Sequence, residues 1–558
     1  MAMMTGKRAF LEILRQEGVE MIFGNPGTTE LPLMDALAVE PQPRYILGLM
    51  EAAVMAMAGG YAQAGNRLGV VSIHATPGLG NAMGMLYDAY KAGAPVLVTA
   101  GQHEQSFNVT EPILWGDLPP IARPLVKWSS EVHRVEDLPR ILRRAITTAL
   151  APPTGPVFLS LPGDILNAEG DLDLGAPTRV APRVRADANA IAAAAKLLAA
   201  AERPLILVGD DAGVSGADKE IAALAEMLGA PVRMEAVDNT APFPTAHPLF
   251  KGHITRLEPS IRAILEQHDV LFSVGGDMFT LSLPSPVEAV PPGLKIIHLD
   301  SDPWELGKNY PEDVAMVGDA KASVADLLGV LEKEMTAGQR GRARDRGDRE
   351  RETIAKEREA LRARARKEAL QTPPTALAVF DAISEILPKD AIIVDETISS
   401  NPGQRQLILR EEAQNQFGYR GGGIGWGISG AIGVKLAQPD RPVLALIGDG
   451  SAMYTIQALW TAAHDKVPVV YVIFNNSSYR ILKQRVHAMK QFSAQTDTYV
   501  AMDLTDPAID YAGLARSMGI RGEKPASLKE AQKLIAECLA DNKPALIDVT
   551  IDRAFKPL

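Results

Sequence analysis

Cysteine is almost missing from this 558-residue chain: Cys538 stands alone, so no intrachain disulfide can form and no cysteine-built zinc or iron-sulfur centre is available. A reducing, cytoplasmic setting is expected. Long apolar runs are missing too. No stretch approaches the roughly 20 apolar residues that cross a bilayer, so no membrane span is expected. Basic residues are outnumbered, 57 against 68 acidic ones, and a net charge of -11 repels phosphate backbones and acidic membrane surfaces. No nucleic-acid or membrane partner is expected. Met1 to Gln16 has no uninterrupted apolar centre with a small-residue cleavage site; with Lys7, Arg8, Glu12 and Arg15 at helical spacing, it reads as an amphipathic first helix of the fold.

What is present is the material of several globular cores: 46% hydrophobic and 22% charged residues. At roughly 100 to 200 residues per domain, the length argues for about three or four domains. Short β-branched runs recur between helical stretches, as at Leu68 to Ile73, Pro95 to Thr99, Val157 to Leu161, Pro204 to Val208, Val270 to Val274, Lys295 to Leu299, Ala391 to Val394, Val443 to Ile447, Val467 to Phe474 and Ala545 to Val549. That alternation predicts an α/β fold of doubly wound parallel sheets. Asn167 to Asp187, with Pro177 and Pro182, reads as irregular, and Thr336 to Gln371, dominated by charge before Pro373-Pro374, reads as a solvated helix or linker. The expected division is 1–180, 186–335, a charged linker 336–372, and 373–558. The outer segments echo one another: strand to Ile73, turn His74 to Gly80, helix Asn81 to Lys91; then strand to Ile447, turn Gly448 to Ala452, helix to about His464. An internal duplication relating the first and third domains is expected.

The strongest chemical signal is Gly448-Asp449-Gly450-Ser451 after one apolar strand and Asn475-Asn476 after the next. Neighbouring parallel-strand ends converge where open α/β sheets bind ligands. Asp449 offers a hard carboxylate, Asn476 an amide oxygen and Ser478 a backbone carbonyl, a donor set suited to magnesium when phosphate oxygens and water complete the octahedron. Gly448 and Gly450 allow close approach of a phosphate, at which a helix starting near Ala452 would point its N-terminus.

A Gly-Asp-Gly followed about two dozen residues later by Asn-Asn resembles the binding motif of the thiamine-diphosphate-dependent decarboxylase superfamily. The likeness runs through essentially the whole chain. It is nearest to the benzoylformate decarboxylase family, on Phe23-Gly24-Asn25-Pro26-Gly27, Tyr45-Ile46-Leu47, Gly60-Tyr61-Ala62-Gln63-Ala64, Gly80-Asn81-Ala82-Met83-Gly84, Arg123 to Ser129 and Ala458 to Ala463. Acetolactate synthases form the wider group. The resemblance implies three domains of the thiamine-diphosphate decarboxylase type, thiamine diphosphate and Mg2+ as cofactors, and a small 2-keto acid as substrate. It also implies a homo-oligomer, dimer at minimum and commonly tetramer, with active sites at the subunit interface.

Residue by residue, the resemblance assigns Glu51 to the cofactor's aminopyrimidine nitrogen, where it promotes the tautomer that deprotonates the thiazolium carbon. His74, at a strand end, would handle protons around the reacting carbon, a task suited to a group titrating near neutrality. Thr28 stands where the family carries a serine that meets the substrate carboxylate; read locally, it could instead cap the helix starting near Leu31. Gly422 matches the glycine whose carbonyl accepts from the cofactor's amino group, and Ile424 the aliphatic residue under the bend between the cofactor rings. Ser399, Gly450, Ser451, Tyr454, Asn476 and Tyr479 match cofactor contacts; Asp449, Asn476 and Ser478 the metal ligands; Asn25, Leu114, Ser282 and Ile481 the substrate pocket.

The sequence departs from the family in two places. Ser282 stands at the second catalytic histidine, and serine cannot work as an acid or base near neutral pH as imidazole does. Two aromatic pocket positions appear as Gly418 and Arg485, which weakens the case for a phenyl substituent; Arg480, Lys483 and Arg485 could attract a second anionic group or form a wet helix face. The leading expectation is a lyase that decarboxylates a 2-keto acid to an aldehyde. The alternative is an acetolactate synthase-like carboligase, favoured by the loss at Ser282, opposed by the presence of His74. A nucleotide-binding dehydrogenase, suggested by Pro204 to Val208 before Gly209-Asp210-Asp211, lacks a complete Gly-x-Gly-x-x-Gly fingerprint.

Overall fold

The computed structural model describes residues 2–490 and 492–555. The chain forms two compact units: residues 1–180, 390–400 and 418–558 make the first, and residues 181–389 and 401–417 the second. The first unit carries two parallel sheets. One runs, in spatial order, Arg44–Leu47, Met21–Gly24, Gly69–His74, Val96–Gln102, Val157–Pro162 and Ser129–Glu131. In the other, Ile392–Glu396, Val443–Gly448, Val469–Asn475, Ala545–Thr550 and Arg521–Glu523 lie side by side. From their second strand onward in the first case, both sheets place the last strand of the chain order inside the one before it, so they share a winding.

The central strands Val96–Gln102 and Val469–Asn475 are buried at every position, as expected of parallel strands covered on both faces. Register is tight between the two strands that carry the Asp-Gly and Asn-Asn turns: Val443 pairs with Val469 and Gly448 with Phe474, so both turns emerge at one edge. The second unit winds a third parallel sheet, in the order Phe250–His253, Val232–Met234, Pro204–Val208, Val270–Val274, Lys295–Asp300, Val314–Val317.

Three local expectations change, and the charged stretch takes the helical one of its two readings. Ala2–Thr5 is a strand paired antiparallel with Glu169–Leu172, inside the segment read as irregular, and the first helix begins only at Gly6. Helical spacing in Gly6–Gln16 is genuine, but the residues before it find a ladder partner far along the chain, which local periodicity does not reveal. A 17-residue helix, Ala75–Lys91, starts immediately after His74 rather than at Asn81; Pro77 is tolerated because the first turn has no intrahelical acceptor to satisfy. After Gly448, a four-residue helical turn, Asp449–Ala452, precedes a separate helix, Ala458–His464, so no helix starts at Ala452. The charged stretch is mostly one 32-residue helix, Ala337–Glu368, capped by Thr336 and Gln339, with Ala343, Gly347, Ile354 and Ala365 buried.

Within the first unit, the helices Glu51–Gly65 and Trp426–Ala437 meet backbone to backbone. A Cβ on Gly433 would lie 1.9 Å from the Met57 carbonyl oxygen, and one on Gly60 2.3 Å from the Gly430 carbonyl oxygen. Neither helix backbone can give way without disturbing the sheet behind it. Gly433→Ala is therefore expected to destabilise the unit by about 1–3 kcal/mol, the usual penalty of overpacking, read as a lowered denaturant midpoint, whereas Gly329→Ala, with open space around it, should leave the midpoint unchanged or raised.

Candidate active site

The carboxyl edge of the first sheet gathers Asn25, Thr28, Glu51, His74 and Leu114. Strand Gly69–His74 delivers His74, and the turn Asn25-Pro26-Gly27 lies on its ring: a Cβ on Gly27 would sit 2.1 Å from the imidazole, so only glycine fits. Asn25 is tied down by its N–H donating to the Ser72 carbonyl at 3.3 Å. Thr28 is exposed and its side chain caps no helix; the 3-10 turn Thr28–Glu30 runs straight into Leu31–Val39. Leu114, at φ 72, turns its carbonyl to the Thr76 N–H.

The group that organises this edge is one that the sequence reading passed over. Glu30 is 1% exposed and accepts from the backbone N–H groups of Gly27 (2.9 Å) and Gly101 (2.7 Å) and from the Thr29 hydroxyl (2.9 Å). Its remaining capacity goes to His74, whose Nδ1 lies 2.9 Å from Glu30 Oε2 and 2.9 Å from Thr29 Oγ1. The Nδ1–H tautomer is thereby fixed and Nε2 points away from Glu30. Bonding to Glu30 raises the His74 pKa above its ordinary value against the opposing effect of burial, with Glu51 adding a smaller push upward. Glu51, 9% exposed, opens the helix Glu51–Gly65 and accepts from Asn81 Nδ2 at 3.1 Å; Gly78 packs against it.

The edge of the other sheet in the unit gathers Asp449, Gly450, Ser451, Asn476, Ser478 and Tyr479. Asp449 is 2% exposed; its Oδ1 accepts from Gly450 N–H at 3.0 Å, while Oδ2 is buried with no hydrogen-bond partner. Burial pushes its pKa up to about 6, opposed by the nearby N–H groups of Gly450, Ser477 and Ser478. The Asn476 amide oxygen accepts from Ser478 N–H (3.0 Å) and Oγ (2.8 Å). A Cβ on Gly450 would meet the Tyr479 ring at 2.5 Å, and Tyr454 lies against Gly425. No cluster of three or more His, Cys, Asp or Glu that could hold a metal exists among the described residues; a site here depends on Asp449 with amide and carbonyl oxygens.

Ser399 follows Ile398, which is held at φ 47, an unusual conformation for a β-branched residue. Arg480, 8% exposed, donates from Nε to the Ser399 hydroxyl (3.2 Å) and from Nη2 to the Ser400 hydroxyl (2.5 Å). Because guanidinium only donates, both hydroxyl protons remain available to an anion. Lys483 is ion-paired with Asp503 at 2.6 Å, and Ile481 follows Arg480 on the same helix, half-buried. Both cations are thus engaged within the chain, Arg480 with two serine hydroxyls and Lys483 with a carboxylate. Gly422, at φ +83, is exposed in the loop before Trp426–Ala437, and Ile424 is half-buried beside it. Ser282 belongs to the second unit, where its N–H and Oγ donate to the Arg256 carbonyl (3.1 and 3.2 Å).

In that second unit the switch point of the sheet is closed by its own backbone: a Cβ on Gly209 would lie 2.3 Å from the Gly275 carbonyl oxygen. Asp210 spends its carboxylate on the N–H groups of Asn239 and Thr240.

Known proteins share this arrangement. Residues 4–113 match the N-terminal TPP binding domain of thiamine pyrophosphate enzymes, residues 191–327 their central domain and residues 403–549 their C-terminal TPP binding domain. The chain is 33% identical to a benzoylformate decarboxylase of Pseudomonas aeruginosa, over 98% of this chain and 99% of that one. A probable acetolactate synthase large subunit of Methanocaldococcus jannaschii is 29% identical over 99% of this chain and 92% of that one. The crystal structure of benzoylformate decarboxylase from Polynucleobacter necessarius superposes with a TM-score of 0.87 at 30% identity, covering 99% of this chain and 100% of that one. The chain belongs to the thiamine pyrophosphate enzymes, in the group that holds benzoylformate decarboxylases and acetolactate synthases.

The Glu30 network sets a measurable property. His74 should titrate above the ordinary histidine value of about 6.5 in an NMR titration, and Glu30→Gln should bring it down. Because its folded pKa is raised, the stability that His74 contributes is fully present below its unfolded value and is lost as pH rises through the folded one; the variant should lose that pH dependence.

Proposed function

We propose that this protein is a thiamine-diphosphate- and Mg2+-dependent lyase that converts a 2-keto acid of the benzoylformate type into an aldehyde and carbon dioxide. The observation that carries the lyase reading is His74. Release of an aldehyde requires a proton at the former keto carbon, and Glu30 holds an imidazole with raised basicity and Nε2 turned outward at the sheet edge.

The residues present fit the two cofactors. Asp449 keeps a buried carboxylate oxygen without a partner, an arrangement that costs several kcal/mol unless a cation or donor arrives. With the Asn476 side chain and the Ser478 carbonyl it would hold Mg2+, while Gly450, Ser451, Tyr454, Tyr479 and Ser399 would surround the diphosphate, and Gly422 and Ile424 the aminopyrimidine half. When bound, thiamine diphosphate supplies the nucleophilic carbon and the electron sink for decarboxylation. Glu51 would hydrogen-bond the aminopyrimidine ring and hold the proton there. Thr28 and Asn25 orient the substrate carboxylate, Leu114 and Ile481 wall the pocket, and His74 moves protons at the reacting carbon.

A homo-oligomer with shared active sites follows from the same reading. Leu49 is 47% and Tyr454 53% exposed in the single chain, each beside one half of the expected site; a second copy would cover them. A carboligase outcome, as in acetolactate synthases, is favoured by one observation: Ser282 supplies no imidazole and is engaged with the Arg256 carbonyl.

Reconstitution with thiamine diphosphate and Mg2+ should give carbon dioxide release from members of a panel of aliphatic, aromatic and dicarboxylic 2-keto acids. Glu51→Gln should lower kcat by about 100-fold or more, the scale of a lost acid–base group, with substrate KM little changed. Chelation of Mg2+ should abolish turnover and its return restore it. Silence across the panel sinks the decarboxylase reading. Sedimentation should show at least a dimer, and a fully active monomer would contradict the shared site.

A further inference from the structure

The segment Gly421 to Gly427 is gripped by two carboxylates. Asp88, on the helix Ala75–Lys91, accepts from Gly423 N–H at 3.2 Å and also from Gly421 N–H. Glu396, closing the strand Ile392–Glu396, accepts from Gly425 N–H at 2.5 Å and Gly427 N–H at 2.6 Å. Each is 1% exposed, and among the described residues neither has a basic partner. Carboxylates buried in this way are costly unless donors compensate, and here the donors are the peptide groups of one loop. The loop composition follows from that grip. A Cβ on Gly421 would lie 2.3 Å from Asp88 Oδ1, on Gly423 2.6 Å from Asp88 Oδ2, and on Gly427 2.8 Å from Glu396 Oε2.

Peptide planarity turns the grip into aim. The N–H of Gly423 and the carbonyl of Gly422 belong to one planar trans peptide and point in opposite directions. Fixing the N–H on Asp88 therefore directs the Gly422 carbonyl away from Asp88. By the same rule, fixing Gly425 N–H on Glu396 sets the Ile424 carbonyl and, with it, the backbone from which the Ile424 side chain projects.

We propose that Asp88 and Glu396 are positioning residues, a two-sided clamp that holds the Gly421 to Gly427 segment in the conformation that presents the Gly422 carbonyl and Ile424 to the aminopyrimidine half of the cofactor. The proposal rests on the thiamine-dependent reading. It assigns neither carboxylate a contact with cofactor or substrate.

The clamp acts on one end of the cofactor, so its loss must separate two ligands. In Mg2+ buffer, calorimetric titration with thiamine diphosphate and with inorganic diphosphate is compared for the wild type, Asp88→Asn, Asp88→Ala and Glu396→Gln. Asp88→Ala should bind inorganic diphosphate within about twofold of wild type but thiamine diphosphate about tenfold or more weakly, the scale of hydrogen bonds lost to a charged acceptor. Asp88→Asn keeps an acceptor oxygen and should stay within about threefold for both ligands. In turnover, Asp88→Ala should lose kcat with the keto-acid KM unchanged. Wild-type preference for the whole cofactor in Asp88→Ala, or equal loss of both ligands in a folded variant, overturns the clamp. Should Asp88→Ala fail to fold, Glu396→Gln, whose amide can accept from only one of the two N–H groups that the two carboxylate oxygens bind, carries the same comparison from the other side of the loop. A wild type that binds inorganic diphosphate no more weakly than thiamine diphosphate overturns the thiamine reading and the clamp together, whereas a wild type that prefers the cofactor alongside an unaltered Asp88→Ala overturns the clamp alone.

Discussion

The backbone contact between the helices Glu51–Gly65 and Trp426–Ala437 is the constraint from which the geometry of the first unit follows. One helix opens with Glu51, and the other is entered from the Gly421 to Gly427 segment. Gly60 and Gly433 let the two axes approach until carbonyl oxygens occupy the space where a Cβ would be. In a close-packed interior such a contact has no slack, so the position of Glu51 relative to Gly422 and Ile424 is set far from either residue.

A chain of net charge -11 with thiamine pyrophosphate-binding domains must still host an anionic cofactor. The structure manages its carboxylates by surrounding them with peptide N–H groups. Glu30 is saturated by Gly27, Gly101, Thr29 and His74, and Glu396 by Gly425 and Gly427. Burial still lifts Asp88 to about 7 and Glu396 to about 8, with the loop N–H groups pulling the other way. Asp88 and Asp449 each keep one buried oxygen without a partner; Asp449 does so beside the Asn476 turn, whose amide and carbonyl oxygens suit a cation. Arg480 adds a buried positive charge beside Ser399, at the end expected to receive the diphosphate.

Much of this was legible before any coordinates. Parallel strands announced themselves as apolar β-branched runs, and the Asp449 and Asn476 turns stood out because each follows such a run. Glu30 and Asp88 did not, because an acid on a helix looks like a solvent-facing residue until the peptide groups that cover it are known. Glu396 was hidden at a strand end among apolar neighbours, and its partners lie about 30 residues further on. The glycine-rich stretch was visible, but its reason, close approach by two carboxylates, is a tertiary fact. Likewise the Ala2–Thr5 strand depends on a partner more than 150 residues away, beyond the reach of periodicity. Ser282 was noticed as a departure, and its bond to Arg256 explains its placement without giving it a proton to exchange.

In the proposed reaction a proton, supplied through the Glu30-oriented His74, ends the sequence. Product identity tests it most directly. With the loaded enzyme, a reactive 2-keto acid and an excess of a second carbonyl compound, NMR of the mixture should show free aldehyde as the main product. A hydroxyketo acid formed in its place, with little aldehyde, would contradict the lyase account and make the protein a carboligase.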